Sequence, residues 1–281
     1  MTSLSGKMLG LVVLATLLTA LSACSSGSEK GAQGTGEDLR SRENHRGTTD
    51  APERAAVTPA LEGETTAITD RRATWDYVAL GDSLAAGVGA HRGYVDRYAE
   101  HLRNDTGARI RLVNLGQSGQ TSPQLLYALR NDSSMRRAIG GAEVITFNIG
   151  INDLGQAGGA YENGRCGGVE NEWCLRVAVE EVVGNWDAIF EEILGLRSTQ
   201  DTIVRTAGLG YTPNVDGVFG PYLAKVNRHI ASSAAHNSIP YVEVHLGDES
   251  MNQDGVHPND KGYEVIAKRL RGLGYEPLGP R

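Results

Sequence analysis

The sequence predicts an α/β domain, a parallel sheet with helices on both of its faces. Three observations carry this: short apolar runs and helix-period stretches alternate, the apolar runs are rich in Val and Ile, and no internal repeat interrupts them. Candidate strands are Tyr77–Leu80, Ile110–Asn114, Val144–Asn148, Thr202–Ala207 and Tyr241–Val244. Three of them end at Gly, Asn or Ala, as buried parallel strands do where they feed tight turns. Between the third and fourth strands, Val179, Val182, Val183, Trp186, Ile189, Phe190 and Ile193 recur on one helical face. Leu223, Val226 and Ile230 repeat that spacing after Pro221, a residue favoured at a first helical position. A last helix is expected from near Pro258, carrying Val265, Ile266 and Leu270. Leu154–Trp173 is Gly-rich and is expected to be an irregular loop, of a length usually functional or disordered.

Not all of the 281 residues belong to that fold. Met1–Ala23 carries Lys7 and then an apolar stretch, Met8–Leu21, shorter than the roughly 20 residues of a membrane span and flanked like an export signal. Its end, Leu21-Ser22-Ala23-Cys24, resembles the lipobox of bacterial lipoprotein signals, in which the cysteine is lipid-modified and becomes the mature first residue. The alternative is an ordinary cleavable signal with an incidental cysteine. Residues 24–74 are Gly, Ser, Thr, Ala and charge, too poor in large apolar groups to offset their ordering entropy, so a disordered tether is expected. Some 50 such residues have an r.m.s. reach of roughly 40 Å. Residues 75–281 suffice for one core.

The net charge is −7 and no Lys/Arg-rich patch occurs, so nucleic acid is not an expected partner. Beyond Cys24 only Cys166 and Cys174 remain; in an exported domain this even remainder suggests a disulfide, worth ~2–3 kcal/mol in the chain-entropy model. Two free thiols are the alternative.

Ser83 follows the first strand, in Gly81-Asp82-Ser83-Leu84, where open α/β sheets place their ligands. A serine hydroxyl is a poor nucleophile until a base removes its proton. Of the seven histidines, His257 stands apart, in Asp254-Gly255-Val256-His257-Pro258 before the last helix. The three-residue spacing lets the Asp254 carboxylate hold one imidazole nitrogen and leave the other free as base. Taken alone, such a carboxylate before a helix is more often a cap. A tetrahedral intermediate also needs donors for its O⁻. Gly119, after the second strand, offers backbone N–H, and Asn152, after the third, offers a side-chain amide. Alone, each could be a turn residue. Together with Ser83 and Asp254-x-x-His257 they gather at one end of the sheet.

At these residues the chain resembles the GDSL, or SGNH, hydrolase superfamily of esterases and lipases. The blocks that carry the resemblance are Gly81-Asp82-Ser83-Leu84 with Gly87, Asn114-Leu115-Gly116-Gln117-Ser118-Gly119, Gly150-Ile151-Asn152-Asp153 and Asp254-Gly255-Val256-His257. The resemblance spans about residues 75–275. It implies a three-layer, flavodoxin-like α/β/α domain around a five-stranded parallel sheet. It also implies Ser83 as nucleophile, His257 as base, Asp254 as its orienter, and an oxyanion hole made by the Ser83 and Gly119 N–H groups with the Asn152 amide. The reaction expected is hydrolysis of a lipid acyl or simple carboxylic ester through an acyl-enzyme, with neither metal nor other cofactor. Glycan O-deacetylation or acyl transfer would use the same groups.

Two other readings stand beside it. A two-metal phosphoesterase would use the carboxylates near these blocks but needs several His and Asp ligands, and only His257 is well placed; His245 is expected to flank a strand end. A non-enzymatic lipoprotein would predict a broken site. A G-x-S-x-G elbow is missing, against a classical α/β-hydrolase. Tyr94, Tyr98, Tyr161, Trp173, Tyr211 and Phe219 are candidates to line a substrate pocket, with packing the alternative for Tyr94 and Tyr98. Location is expected outside the cytoplasm, lipid-anchored to a membrane through Cys24 or secreted.

Overall fold

In the computed structural model, residues 73–210 and 217–279 are described. The signal segment, Cys24, nearly all of the tether and Tyr211 lie outside the described residues. The first strand, β1 (Thr74–Gly81), begins three residues before the apolar run that announced it and is followed by a single turn, α1 (Ser83–Ala86). Then come α2 (Tyr94–Thr106), β2 (Arg109–Asn114), α3 (Ser122–Asn131), α4 (Ser133–Gly140), β3 (Val144–Asn148), α5 (Ile151–Glu162) and α6 (Trp173–Leu194). The remainder is β4 (Ile203–Ala207), α7 (Phe219–His236), β5 (Tyr241–Val242) and α8 (Asp260–Arg271).

The five strands pair in the order β2-β1-β3-β4-β5, every neighbouring pair parallel. In register, Tyr77 lies opposite Leu112 on one side and Val144 on the other. Alternate residues of each strand feed opposite cores. Tyr77, Ala79, Val144 and Ile203 pack beneath α2 and α8, against Tyr98, Leu102, Tyr263 and Ile266. Val78, Leu80, Ile145, Phe147 and Val204 face α3, α6 and α7, where Leu125, Trp186, Phe190 and Ile230 cover them. Phe147, Trp186 and Phe190 pack ring against ring, with centroids 5.3–5.5 Å apart. This is the expected three-layer sandwich.

Some boundaries move. The last strand pairs only over Tyr241–Val242, although Val244 remains buried, and the last helix starts at Asp260, capped by the Asn259 side chain. Pro221 lies within the first turn of α7 rather than at its first position. The larger correction concerns Leu154–Trp173. Residues as far as Glu162 are helical, and only 163–172 are irregular. Glycine disfavours a helix by about 1 kcal/mol each, and tertiary packing outweighs that here. Leu154 and Ala157 are buried in the larger core, and a Cβ on Gly158 would stand 2.9 Å from the Phe219 ring.

Trp186 donates its indole N–H to the Ile149 carbonyl at 2.9 Å, which marks where α6 passes the carboxyl edge of β3. The thirteen residues of α6 before Trp186 therefore extend roughly 20 Å beyond that edge. With α5 they form a helical hairpin. At its tip the Cys166 and Cys174 sulfurs are at bonding distance, with Cα atoms 4.8 Å apart. Asn171, in the left-handed region at φ 55°, links Tyr161 O and Cys166 N through its side chain. Tyr222 of α7 donates its hydroxyl to Glu172 at 2.7 Å.

Candidate active site

The reversal of strand order lies between β1 and β3, the place where doubly wound sheets open a crevice beyond their carboxyl ends. Ser83 leaves β1 at that point. Gly81, at φ 132°, makes the exit possible, because a Cβ there would collide with the Asn148 carbonyl oxygen of β3. Asp82 caps the short helix that follows, its Oδ1 accepting the Leu84 N–H at 3.0 Å.

His257 arrives from the other end of the chain. Asp254 Oδ1 accepts the backbone N–H groups of Val256 and His257, both at 3.0 Å, which folds the segment into a turn. Oδ2 lies 2.7 Å from His257 Nδ1, and His257 Nε2 lies 2.9 Å from Ser83 Oγ. Partial burial pushes the Asp254 carboxyl up, but the His257 backbone N–H and imidazole, with the Val256 N–H, more than offset it and hold Asp254 below its ordinary value. A charged acceptor on Nδ1 favours the tautomer with Nε2 free to take a proton. The turn is anchored by Asn252, whose amide donates to Gly89 O at 2.8 Å and Pro258 O at 3.0 Å. Helix α8 is docked on α2 by Arg97, which bonds Asp260 at 2.7 Å and Glu264 at 2.8 Å.

Besides the Ser83 N–H, the candidate oxyanion donors come from the next two loops. Gly119 sits at φ 78° with open space where a side chain would be. The N–H groups of Ser83 and Gly119 take no acceptor among the described residues. Asn152, in the first turn of α5, gives one amide hydrogen to Gln120 O at 2.9 Å, and the second remains for a ligand. The structure thus joins Ser83, His257 and Asp254 in one hydrogen-bonded chain, and ties the loop that carries Gly119 to Asn152 through Gln120 and to Gly81 through Gln117.

Other candidates fall elsewhere. His245 is exposed and lies 3.7 Å from Glu243. Tyr94 and Tyr98 are buried beneath the sheet, so packing is their role. Tyr161 and Phe219 pack on the larger core, and Trp173 is exposed at the start of α6. A second Ser/His/Asp group, Ser233, His229 and Asp187, spans α6 and α7. Both the serine hydroxyl and His229 Nε2 meet the same Asp187 oxygen at 2.8 Å, so the ring nitrogen facing the serine is already spent. Among the described residues, no group of three or more His, Cys, Asp or Glu gathers as a metal site would.

Asp82 and Asp153, which the sequence offered only as carboxylates for a metal-dependent reading, have surroundings that the sequence did not announce. Burial pushes the Asp82 carboxyl up to about 6, and its Oδ2 is buried without a hydrogen-bond partner. Asp153 accepts from both N–H and hydroxyl of Ser122 across 31 residues, and burial nonetheless leaves its pKa raised. Both stand inside the quoted sequence blocks, beside the residues that drew notice.

A family model described as GDSL-like lipase/acylhydrolase matches residues 79–265. A spore germination lipase of Bacillus licheniformis is 28% identical over 216 residues, covering 73% of this chain and 99% of that protein. Among solved structures, a lipase from a goat rumen metagenome aligns at a TM-score of 0.66 and 27% identity, over 73% of this chain and 100% of the other. An acetylxylan esterase from Geobacillus stearothermophilus shares the fold at a TM-score of 0.57 and 19% identity, over 75% and 99% of the two chains.

Proposed function

The chain belongs to the GDSL-like lipase/acylhydrolase family and is a carboxylic ester hydrolase; we propose that it acts through an acyl-enzyme on Ser83, with His257 as base and Asp254 as its orienter. The observation that carries this reading is the unbroken chain from Asp254 Oδ2 to His257 and on to Ser83 Oγ, with links of 2.7 and 2.9 Å. Ser83 Oγ attacks the ester carbonyl while its proton passes to His257 Nε2. The carbonyl oxygen becomes an oxyanion, and the Ser83 and Gly119 N–H groups with the free Asn152 hydrogen stabilise it. His257 returns the proton to the leaving alkoxide. Water then repeats the sequence on the acyl-serine, releasing the acid. Asp254, kept ionised, stabilises the imidazolium formed in each half.

For the substrate, the reading is a lipid acyl ester or a simple ester, supported by the two lipases among the relatives. An O-acetyl group on a glycan is the second reading, favoured by the likeness in fold to the acetylxylan esterase. Nitrophenyl esters from C2 to C16, assayed beside acetylated xylan, separate them. A maximum at C8 or above supports the lipid reading, whereas activity confined to C2 and the glycan supports the other. Ser83→Ala is expected to lower kcat at least 1,000-fold, on the order seen for removal of a triad member; a variant that kept its rate would overturn the mechanism.

Export by the Met1–Ala23 signal and lipid attachment at Cys24 are part of the same reading, supported by the lipobox-like Leu21-Ser22-Ala23-Cys24. No helix among the described residues is long and apolar enough to cross a membrane. Expressed in a bacterial host, the protein is expected to enter the detergent phase on Triton X-114 partitioning, and Cys24→Ala to remain aqueous. Equal partitioning of the two would sink the anchor.

A further inference from the structure

Two of the three proposed oxyanion donors belong to different loops, Gly119 after β2 and Asn152 after β3, and their separation must be fixed for both to reach one oxygen. We propose that Asp153 is the positioning residue that fixes it, by clamping Ser122 and so holding the Gly119 N–H in place relative to the Asn152 amide. This rests on the reading of Ser83 as nucleophile.

Ser122 is the first residue of α3, so its backbone N–H has no partner within its own helix. Asp153 supplies that partner from α5: Oδ1 and Oδ2 lie 3.1 and 2.9 Å from Ser122 N, and Oδ1 also accepts the Ser122 hydroxyl at 2.7 Å. The hydroxyl oxygen in turn accepts from Asn185 Nδ2 of α6 at 2.9 Å. Ser122 is fully buried and its donors are both engaged, so it has one arrangement. Only Gln120 and Thr121 separate it from Gly119. The first is tied to Asn152 through its carbonyl, and the second is held in a capping box with Gln124. The positive end of the α3 dipole further favours a carboxylate here. An ordinary cap belongs to the helix it caps. Asp153 instead joins the start of one helix to the start of another, and each of those starts follows a proposed oxyanion donor or contains one.

A displacement on the scale of 1 Å in a reacting group can cost about 100-fold in rate. Asp153→Asn keeps an acceptor for Ser122 N but presents an amide to the hydroxyl. It is expected to lower kcat about 10- to 100-fold with KM within about twofold, and to weaken an alkyl boronic acid, which mimics the tetrahedral adduct, in proportion to kcat. Ser122→Ala keeps the backbone link, and about a 3- to 10-fold loss of kcat is expected; the double variant should be little worse than Asp153→Asn alone. Should Asp153→Asn not fold, Ser122→Ala carries the test. The clamp is overturned if a folded variant keeps kcat within twofold, or if KM absorbs the loss while boronic acid affinity stays unchanged. Ser83→Ala, assayed beside them, separates the two levels. If Ser83→Ala keeps its rate, the nucleophile reading fails. If Ser83→Ala is inactive and Asp153→Asn unimpaired, only the clamp fails.

Discussion

Asp82 precedes the serine with one carboxylate oxygen on the Leu84 N–H and the other buried without a partner. Desolvation pushes its pKa up to about 6 from an ordinary 3.8. Native Asp82 therefore holds its proton more tightly than unfolded Asp82 does. Between about pH 4 and 6 the folded state binds more protons, so the Asp82 contribution to stability falls as pH rises through that window. The full effect is on the order of 3 kcal/mol, at about 1.4 kcal/mol per pKa unit. Above pH 6 the molecule carries a destabilising buried charge close enough to His257 to interact with it. Asp82→Asn can still cap Leu84 but does not titrate. Urea unfolding at pH 4.5 and 7 should show the fall in stability reduced by about 1–3 kcal/mol in the variant; an unchanged fall would assign the titration to another group. Asp254 has the opposite sign, since its lowered pKa favours the native state above the unfolded value and that benefit is lost as pH falls through the folded one.

The α5–α6 hairpin is the element that departs most from the sequence expectation. Its glycines argued for a loop, because local propensity is weak there. The helix forms because Leu154 and Ala157 bury against α6 and because Gly158 admits the Phe219 ring. A bond between Cys166 and Cys174, whose sulfurs lie at bonding distance, would close a short ring, for which the chain-entropy model gives about 2–3 kcal/mol. Reduction is therefore expected to speed amide exchange around the tip, in residues 160–178, by about 30- to 150-fold while β1 and β3 keep their protection. Uniform exchange before and after reduction would show that Asn171, Glu172 and the core hold the tip without the sulfurs. The hairpin starts at the proposed oxyanion residue Asn152, so the same experiment, run with long and short acyl esters, reads its influence on KM.

Across the whole molecule, sheet, layers and crevice were legible because each depends on local pattern. Val/Ile runs mark strands, and residues just past their ends must lie at the carboxyl edge. Asp254 and His257 were legible for a similar reason, since a three-residue spacing closes a turn by itself. The Asp153–Ser122 contact was not, because nothing local announces a partner 31 residues away on another helix. The short β5 is bounded by its pairing with β4 rather than by its own apolar run, whereas the start of α8 at Asp260 follows from the local Asn259 cap.

The bond between His257 and Ser83 joins residues 174 positions apart. That distance has a consequence in time. A chain emerging from the ribosome presents Ser83, the proposed nucleophile, well before His257, the proposed base. Until the turn before α8 is in place, the proposed nucleophile lacks its proposed base. On the proposed mechanism, ester hydrolysis therefore waits until the segment that carries His257 has docked and closed the fold.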